Sequence, residues 1–156
     1  GSAIFPQMHS PFACFPANAA SVNGLGSTLH PLAYGVGTDG TGGPGPVMTS
    51  TGQICQSARP ITFTLSGADP TPGTLAILMY QLIPVCPPAT VLGGNSLYVA
   101  TGYPNFGPLP VVGGSCSVTF TMQGGSTFPT HVQWIVAKGS GGFQASNALS
   151  FILGPP

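Results

Sequence analysis

Charge is what this sequence has least of. Only Asp39, Arg59, Asp69 and Lys138 are charged, 3% of 156 residues, where soluble domains carry about 25%. Net charge is zero with histidine neutral. A surface this poor in ions lacks the self-repulsion that keeps proteins apart in solution. It is expected to associate, to be coated with sugar, or both. The same shortage excludes nucleic acid as a partner, because phosphate contacts need clustered lysine and arginine. It also leaves a trypsin-like protease little to cut: Lys138, and Arg59, which precedes a proline.

Other absences narrow the reading further. No apolar run reaches the roughly 18 residues of a membrane helix. The longest, TLAILMYQLIPV at 74–85, is interrupted by Gln81 and Pro84. No signal peptide is visible, so a secreted chain would be the mature form. No stretch free of glycine and proline shows a helical period. There is no GxSxG elbow, and GTDGTGGPGP matches no phosphate-binding loop. Asp39 and Asp69 both sit in turn sequences, GTDGTGG and ADPTPG, where aspartate caps its own backbone. His9 and His30 flank prolines in irregular stretches, and His131 opens a strand as an exposed residue or a neighbour of Trp134. The expectation is no enzyme, no cofactor and no metal. No Asn-x-Ser/Thr sequon occurs, which leaves O-linked sugar on TSTGQ or GTDGTGG as the candidate glycan.

What is present is turns and short apolar runs. The chain holds 24 glycines and 18 prolines. Leu, Ile, Val and Phe still make a quarter of it, above the roughly 20% floor for disorder. PITFTLSG, NSLYVATG, SVTFTMQ and THVQWIVAKG alternate apolar and polar residues with the period of a strand. TLAILMYQLI, apolar on both faces, reads as a central strand. PLPVV reads as an edge strand and NALSFILG as the closing one. The fold expected is all-β: an antiparallel, immunoglobulin-like β-sandwich of six to eight strands over 59–156. Residues 1–58 form a Gly/Pro-rich extended segment of the same structural domain. Its short apolar pieces are candidate extra strands, packed on this sandwich or on a neighbour's. Ala3, Ile4 and Phe5 make the candidate intersubunit strand.

Cys14, Cys55, Cys86 and Cys116 have no paired metal-ligand spacing. Their even number favours two disulfides in an oxidising compartment, Cys14–Cys55 and Cys86–Cys116, against the alternative of four buried thiols. Trp134 is a sandwich core residue or, on the alternative reading, a sugar-stacking platform. The outer face of SVTFTMQ carries hydroxyls where most strands carry ions. Such a face can be buried against another subunit without the cost of desolvating an ion.

Residues 60–154 resemble the C-terminal β-sandwich of secreted and cell-surface proteins of planctomycete-type bacteria. The likeness rests on the L-S-G at 65–67, the V-Q-W at 132–134 and the S-N-A-L at 146–149. It implies an extracellular sandwich and no catalytic residues. Together these readings point to a structural subunit of a cell-surface filament, pilus-like fibre or lattice, partnered by copies of itself. The alternative is a carbohydrate-binding or adhesion module.

Overall fold

The structure is a computed structural model that describes residues 31–52, 59–81, 84–91, 93–99, 105–122 and 128–153. Ten strands and no helix occur among them. In chain order these are β1 (Leu32–Tyr34), β2 (Val47–Gly52), β3 (Arg59–Ser66), β4 (Leu75–Gln81), β5 (Pro84–Val91), β6 (Asn95–Val99), β7 (Asn105–Pro110), β8 (Cys116–Met122), β9 (Phe128–Ala137) and β10 (Phe143–Leu153). They form a five-stranded sheet in the order β1-β10-β9-β4-β7, a three-stranded sheet β2-β3-β8 and a two-stranded sheet β5-β6. Every pairing is antiparallel.

Alternation places the layers. On β9, Val132, Trp134 and Val136 point one way, with Ala76 and Leu78 of β4 and Leu149 and Phe151 of β10. They meet Met48, Ile61, Phe63 and Leu65 of the three-stranded sheet. The opposite face of β9 carries Ile135, which packs with Leu97 of β6 and Ala145 of β10. Tyr98 of β6 packs beside it on Tyr34 and Ala148. The five-stranded sheet is thus covered on both faces, by β2-β3-β8 on one and by β5-β6 on the other.

This third layer is where the structure departs from the sequence expectation. The alternation in THVQWIVAKG predicts an outer face of Gln133, Ile135 and Ala137. Instead every residue from His131 to Val136 is buried, because β6 lies over what would have been the wet side. The doubly covered strand is β9 rather than β4, whose Tyr80 stays 40% exposed. Strand β5 was not legible, since PVCPPATV carries three prolines. It is tolerated because β5 is bonded on one side only, with its register shifted between Pro84 and Ala89. β1 pairs with β10 and β2 pairs with β3, so Leu32–Tyr34 and Val47–Gly52 are strands of this sandwich, one of the two placements expected for the short apolar pieces of the N-terminal segment.

Buried amides join the layers. Gln133, fully buried, accepts the Tyr98 N–H through Oε1 at 2.9 Å. Its Nε2 donates to the Ser96 carbonyl at 2.9 Å and the Ser146 carbonyl at 2.8 Å. The register of β10 slips between Ala145 and Ala148. There the Ser146 hydroxyl takes over for the interrupted ladder, accepting the Trp134 N–H at 3.0 Å. The Asn147 side chain turns the other way and bonds both backbone groups of Met48, accepting its N–H at 2.7 Å and donating to its carbonyl at 3.3 Å. Replacing Gln133 by Leu removes the side-chain partner of the Tyr98 N–H and of the Ser96 and Ser146 carbonyls. The expected loss is about 3–5 kcal/mol, read as a lowered urea midpoint with an unchanged m-value. Gly35→Ala is expected to destabilise by about 1–3 kcal/mol in the same assay. Its φ is +74°, and an added Cβ would sit 2.4 Å from the Tyr98 ring.

Candidate functional site

The ionisable groups are each tied into structure. Asp69 lies in the loop between β3 and β4, and its carboxylate bridges two turns. Oδ1 accepts from the Thr71 N–H at 3.1 Å and hydroxyl at 2.7 Å. Oδ2 accepts from the Ser140 N–H at 3.2 Å and hydroxyl at 2.6 Å. The Ser140 hydroxyl, then that of Thr71, holds this carboxyl well below the usual carboxylate range. Asp39 caps its own turn by accepting from the Thr41 N–H and hydroxyl and the Gly43 N–H, at 2.8, 2.7 and 3.2 Å. The Thr41 hydroxyl leads in lowering its pKa. Both aspartates therefore act as turn caps, as their sequence context predicts. Among the described residues no group of three or more His, Cys, Asp or Glu side chains could hold a metal ion.

His131 differs from either expectation. It is 1% exposed and lies on the β6 side of β9, away from Trp134. Its Nδ1 is 3.2 Å from the Tyr34 hydroxyl, and the two rings meet edge to face at 6.0 Å. Burial lowers its pKa from 6.5 to about 4, so the imidazole is neutral in the fold. Burial, then the neighbouring Tyr98, raises that of Tyr34.

Trp134 is 0% exposed in the main core, and its indole N–H has no partner there. A ring without an open face cannot stack on a sugar, so the platform reading of Trp134 is corrected. Cys116 carries a free, half-buried thiol at the head of β8, packed against the main core. The expected Cys86–Cys116 bridge is not made. The two residues belong to different sheets, β5 and β8, on opposite faces of the five-stranded sheet. Of Cys86 only the backbone is described. Cys14, Cys55, His9, His30, Ala3, Ile4 and Phe5 lie outside the described residues.

What the structure does assemble is a surface. The outward positions of the three-stranded sheet are Val47, Thr49 and Thr51 on β2, Pro60, Thr62, Thr64 and Ser66 on β3, and Ser117, Thr119 and Thr121 on β8. Register aligns them in ranks: Thr49 beside Thr64 beside Ser117, and Thr51 beside Thr62 beside Thr119. The Thr62 and Thr119 hydroxyls bond each other at 2.7 Å. No charged side chain belongs to this face. Arg59 lies at the end of β3, on the alternate side from the threonines. The Thr-x-Thr repeats in MTSTG, ITFTL and VTFTM carried this signal, but only the pairing register shows that they coincide.

The edge of this sheet at β8 is equally distinctive. Natural edge strands are blunted by lysine, proline, bulges or shortness. β1 has three residues, β5 and β7 carry prolines, and the Asn147 side chain occupies the Met48 backbone on β2. β8 runs seven residues without charge, proline or register shift, and among the described residues it has β3 as its one partner strand.

No family model matches the chain, nor does any curated protein or solved structure.

The buried imidazole makes stability acid-sensitive. Unfolded His131 takes its proton near pH 6.5 and folded His131 near 4. Between these values the unfolded chain binds more protons, so stability falls as pH falls. The whole window is worth about 3 kcal/mol. The two aspartates, depressed in the fold, add a further loss only below about pH 4. Urea melts from pH 8 to 3 should show the first slope, and His131→Gln should flatten it whatever its effect on stability at pH 8.

Proposed function

We propose that this protein is the structural subunit of an extracellular filament or surface lattice whose copies join through β contacts. The observation that carries this reading is the unguarded edge of β8. An extended segment of a neighbouring copy can add as a fourth strand at this edge, which has no partner strand on that side among the described residues. The hydroxyls of the outer face favour such addition, since cross-strand Thr–Thr pairs contribute about 0.2–1 kcal/mol each. The near absence of charge removes the repulsion that ordinarily opposes polymers of identical copies. The segment around Ala3, Ile4 and Phe5 is the proposed donor. A contact between donor and edge is head-to-tail and need not close, which is the geometry of an open fibre.

The scaffold we infer is immunoglobulin-like. β2-β3-β8 facing β10-β9-β4 follows the order A-B-E facing G-F-C, with β7 added beside C as in variable-type domains. On this reading β5-β6 is a hairpin inserted between C and that added strand, and it has folded back as a third layer. The carbohydrate-binding alternative loses its proposed platform with the burial of Trp134.

Sedimentation and negative-stain microscopy of the full chain test the assembly. Polymers are expected at high concentration. Removing residues 1–30, or introducing Thr119→Lys with Thr121→Lys on β8, should return single copies. The lysine variant should lose no more than about 1 kcal/mol of stability, the worth of the Thr62–Thr119 pair it removes. A full chain that sediments as single copies at millimolar concentration would overturn the assignment.

A further inference from the structure

The two flanks of the sandwich differ. On one, the Asn147 side chain of β10 bonds both backbone groups of Met48 on β2, and the Met48 side chain is buried in the core. Counted from there, β3 faces β9 and β8 faces β4. β7 extends the five-stranded sheet one strand further, and no strand of the described residues faces it. Burial shows the consequence. Ile61, Phe63 and Leu65 of β3 are fully buried. Their register partners on β8, Phe120, Val118 and Cys116, pack on the same core but are only partly buried. On β7, Leu109 and Phe106 pair with the core residues Ala76 and Leu78 of β4, so both face inward across the register shift that separates them. Leu109 is partly buried and Phe106 is 40% exposed. The Phe106 and Phe120 rings meet edge to face at 5.2 Å.

We infer that this flank is a slot for one strand of a second copy: Ala3, Ile4 and Phe5 lie along β8, with the Ala3 and Phe5 side chains between the sheets, over Phe106 and Leu109 and beside Val118 and Phe120. The inference rests on the assembly proposed above and names the contact that makes it specific. Strands are spaced about 4.8 Å apart in either sheet, so one added beside β8 stands over β7. Alternate side chains share a face, so Ala3 and Phe5 turn inward together and Ile4 turns outward with the threonines. Pro6 has no N–H to give and ends the pairing. Pro108 and Pro110 blunt the edge of β7, which leaves β8 as the strand that supplies the ladder.

The place where the donor segment joins the sandwich favours a second copy over the same one. Residues 1–30 lead into β1, and β1 and β7 are the two ends of the five-stranded sheet, about 19 Å apart. A donor at one end and a slot at the other set copies in line, each adding to the next in the same sense. No charge opposes the contact. Residues 1–30 contain no Asp, Glu, Lys or Arg, and neither do β7 and β8. Covering Phe106, Phe120 and the incoming Phe5 removes apolar surface from water on both partners, which supplies the affinity.

The test is photo-crosslinking in the assembled full chain. A trace of chain carrying benzoylphenylalanine in place of Phe5 is mixed into isotopically heavy unaltered chain, irradiated and digested for mass spectrometry. Light-to-heavy links to residues 105–122 are expected. Links confined to light chain would overturn the inference, because the segment then serves its own sandwich. Links to another face, or none, would overturn it as well. Sedimentation of the unaltered chain separates the two readings: polymers without the expected links leave the assembly standing and remove this contact, whereas single copies remove both. Phe106→Ser should raise the concentration at which polymers form at least about tenfold, with thermal melting retained. Phe143→Ser, equally exposed but at the start of β10, should leave that concentration unchanged. An unshifted Phe106→Ser variant would also overturn the inference.

Discussion

Three backbone groups from two strands converge on one buried side chain, and the three-layer arrangement depends on it. The Gln133 amide reads Ser96 and Tyr98 of β6 as an adjacent strand would, and it closes the gap left where β10 slips. A buried amide costs several kcal/mol if unpaired and little if every group is satisfied. Here both amide atoms have protein partners. Their geometry fixes how far β6 lies from β9 and at which register. Apolar contacts alone, Leu97 on Ile135 and Tyr98 on Tyr34, would tolerate a slide of β6 along the sheet.

The same economy runs through the molecule. Where other proteins use ion pairs, this one uses amides and hydroxyls that do not titrate. Asn147 holds β10 to β2, Asn95 reaches the Phe143 carbonyl at 3.0 Å and the Thr38 hydroxyl at 2.8 Å, and Asp69 is gripped by hydroxyls. Removing ions from the surface does not remove acid sensitivity, however. Among the described residues the buried imidazole of His131, on β9 beside Tyr34, reintroduces it, because burial penalises the charged form whatever surrounds the rest of the chain.

Much of the sandwich was legible because alternation is a direct consequence of the pleat. ITFTL, SVTFTM and the sides of THVQWIV facing β3 are all assigned to the buried or outer face by period two. The turn roles of Asp39 and Asp69 were readable for a similar reason: an aspartate beside glycine, threonine or proline caps locally. The β5-β6 layer was not legible. Prolines conceal β5, and nothing in a single strand's pattern says whether its polar side meets water or another sheet. Gln133 and His131 look like outer residues for that reason. The stretches V-Q-W and S-N-A-L mark this network, since they contain Gln133, Ser146 and Asn147. The threonine face was half visible. Each Thr-x-Thr is plain in the sequence, but three of them become one surface only through register.

Edge and face belong to the same sheet. A strand added at β8 would continue the sheet in its own plane, so it would lengthen each rank of hydroxyls rather than hide it. Twist sets a limit on such growth, since a continuous sheet turns successive ranks progressively away. A short donor strand that joins separate sandwiches escapes that limit, because the contact between copies and not the pleat sets their relative rotation.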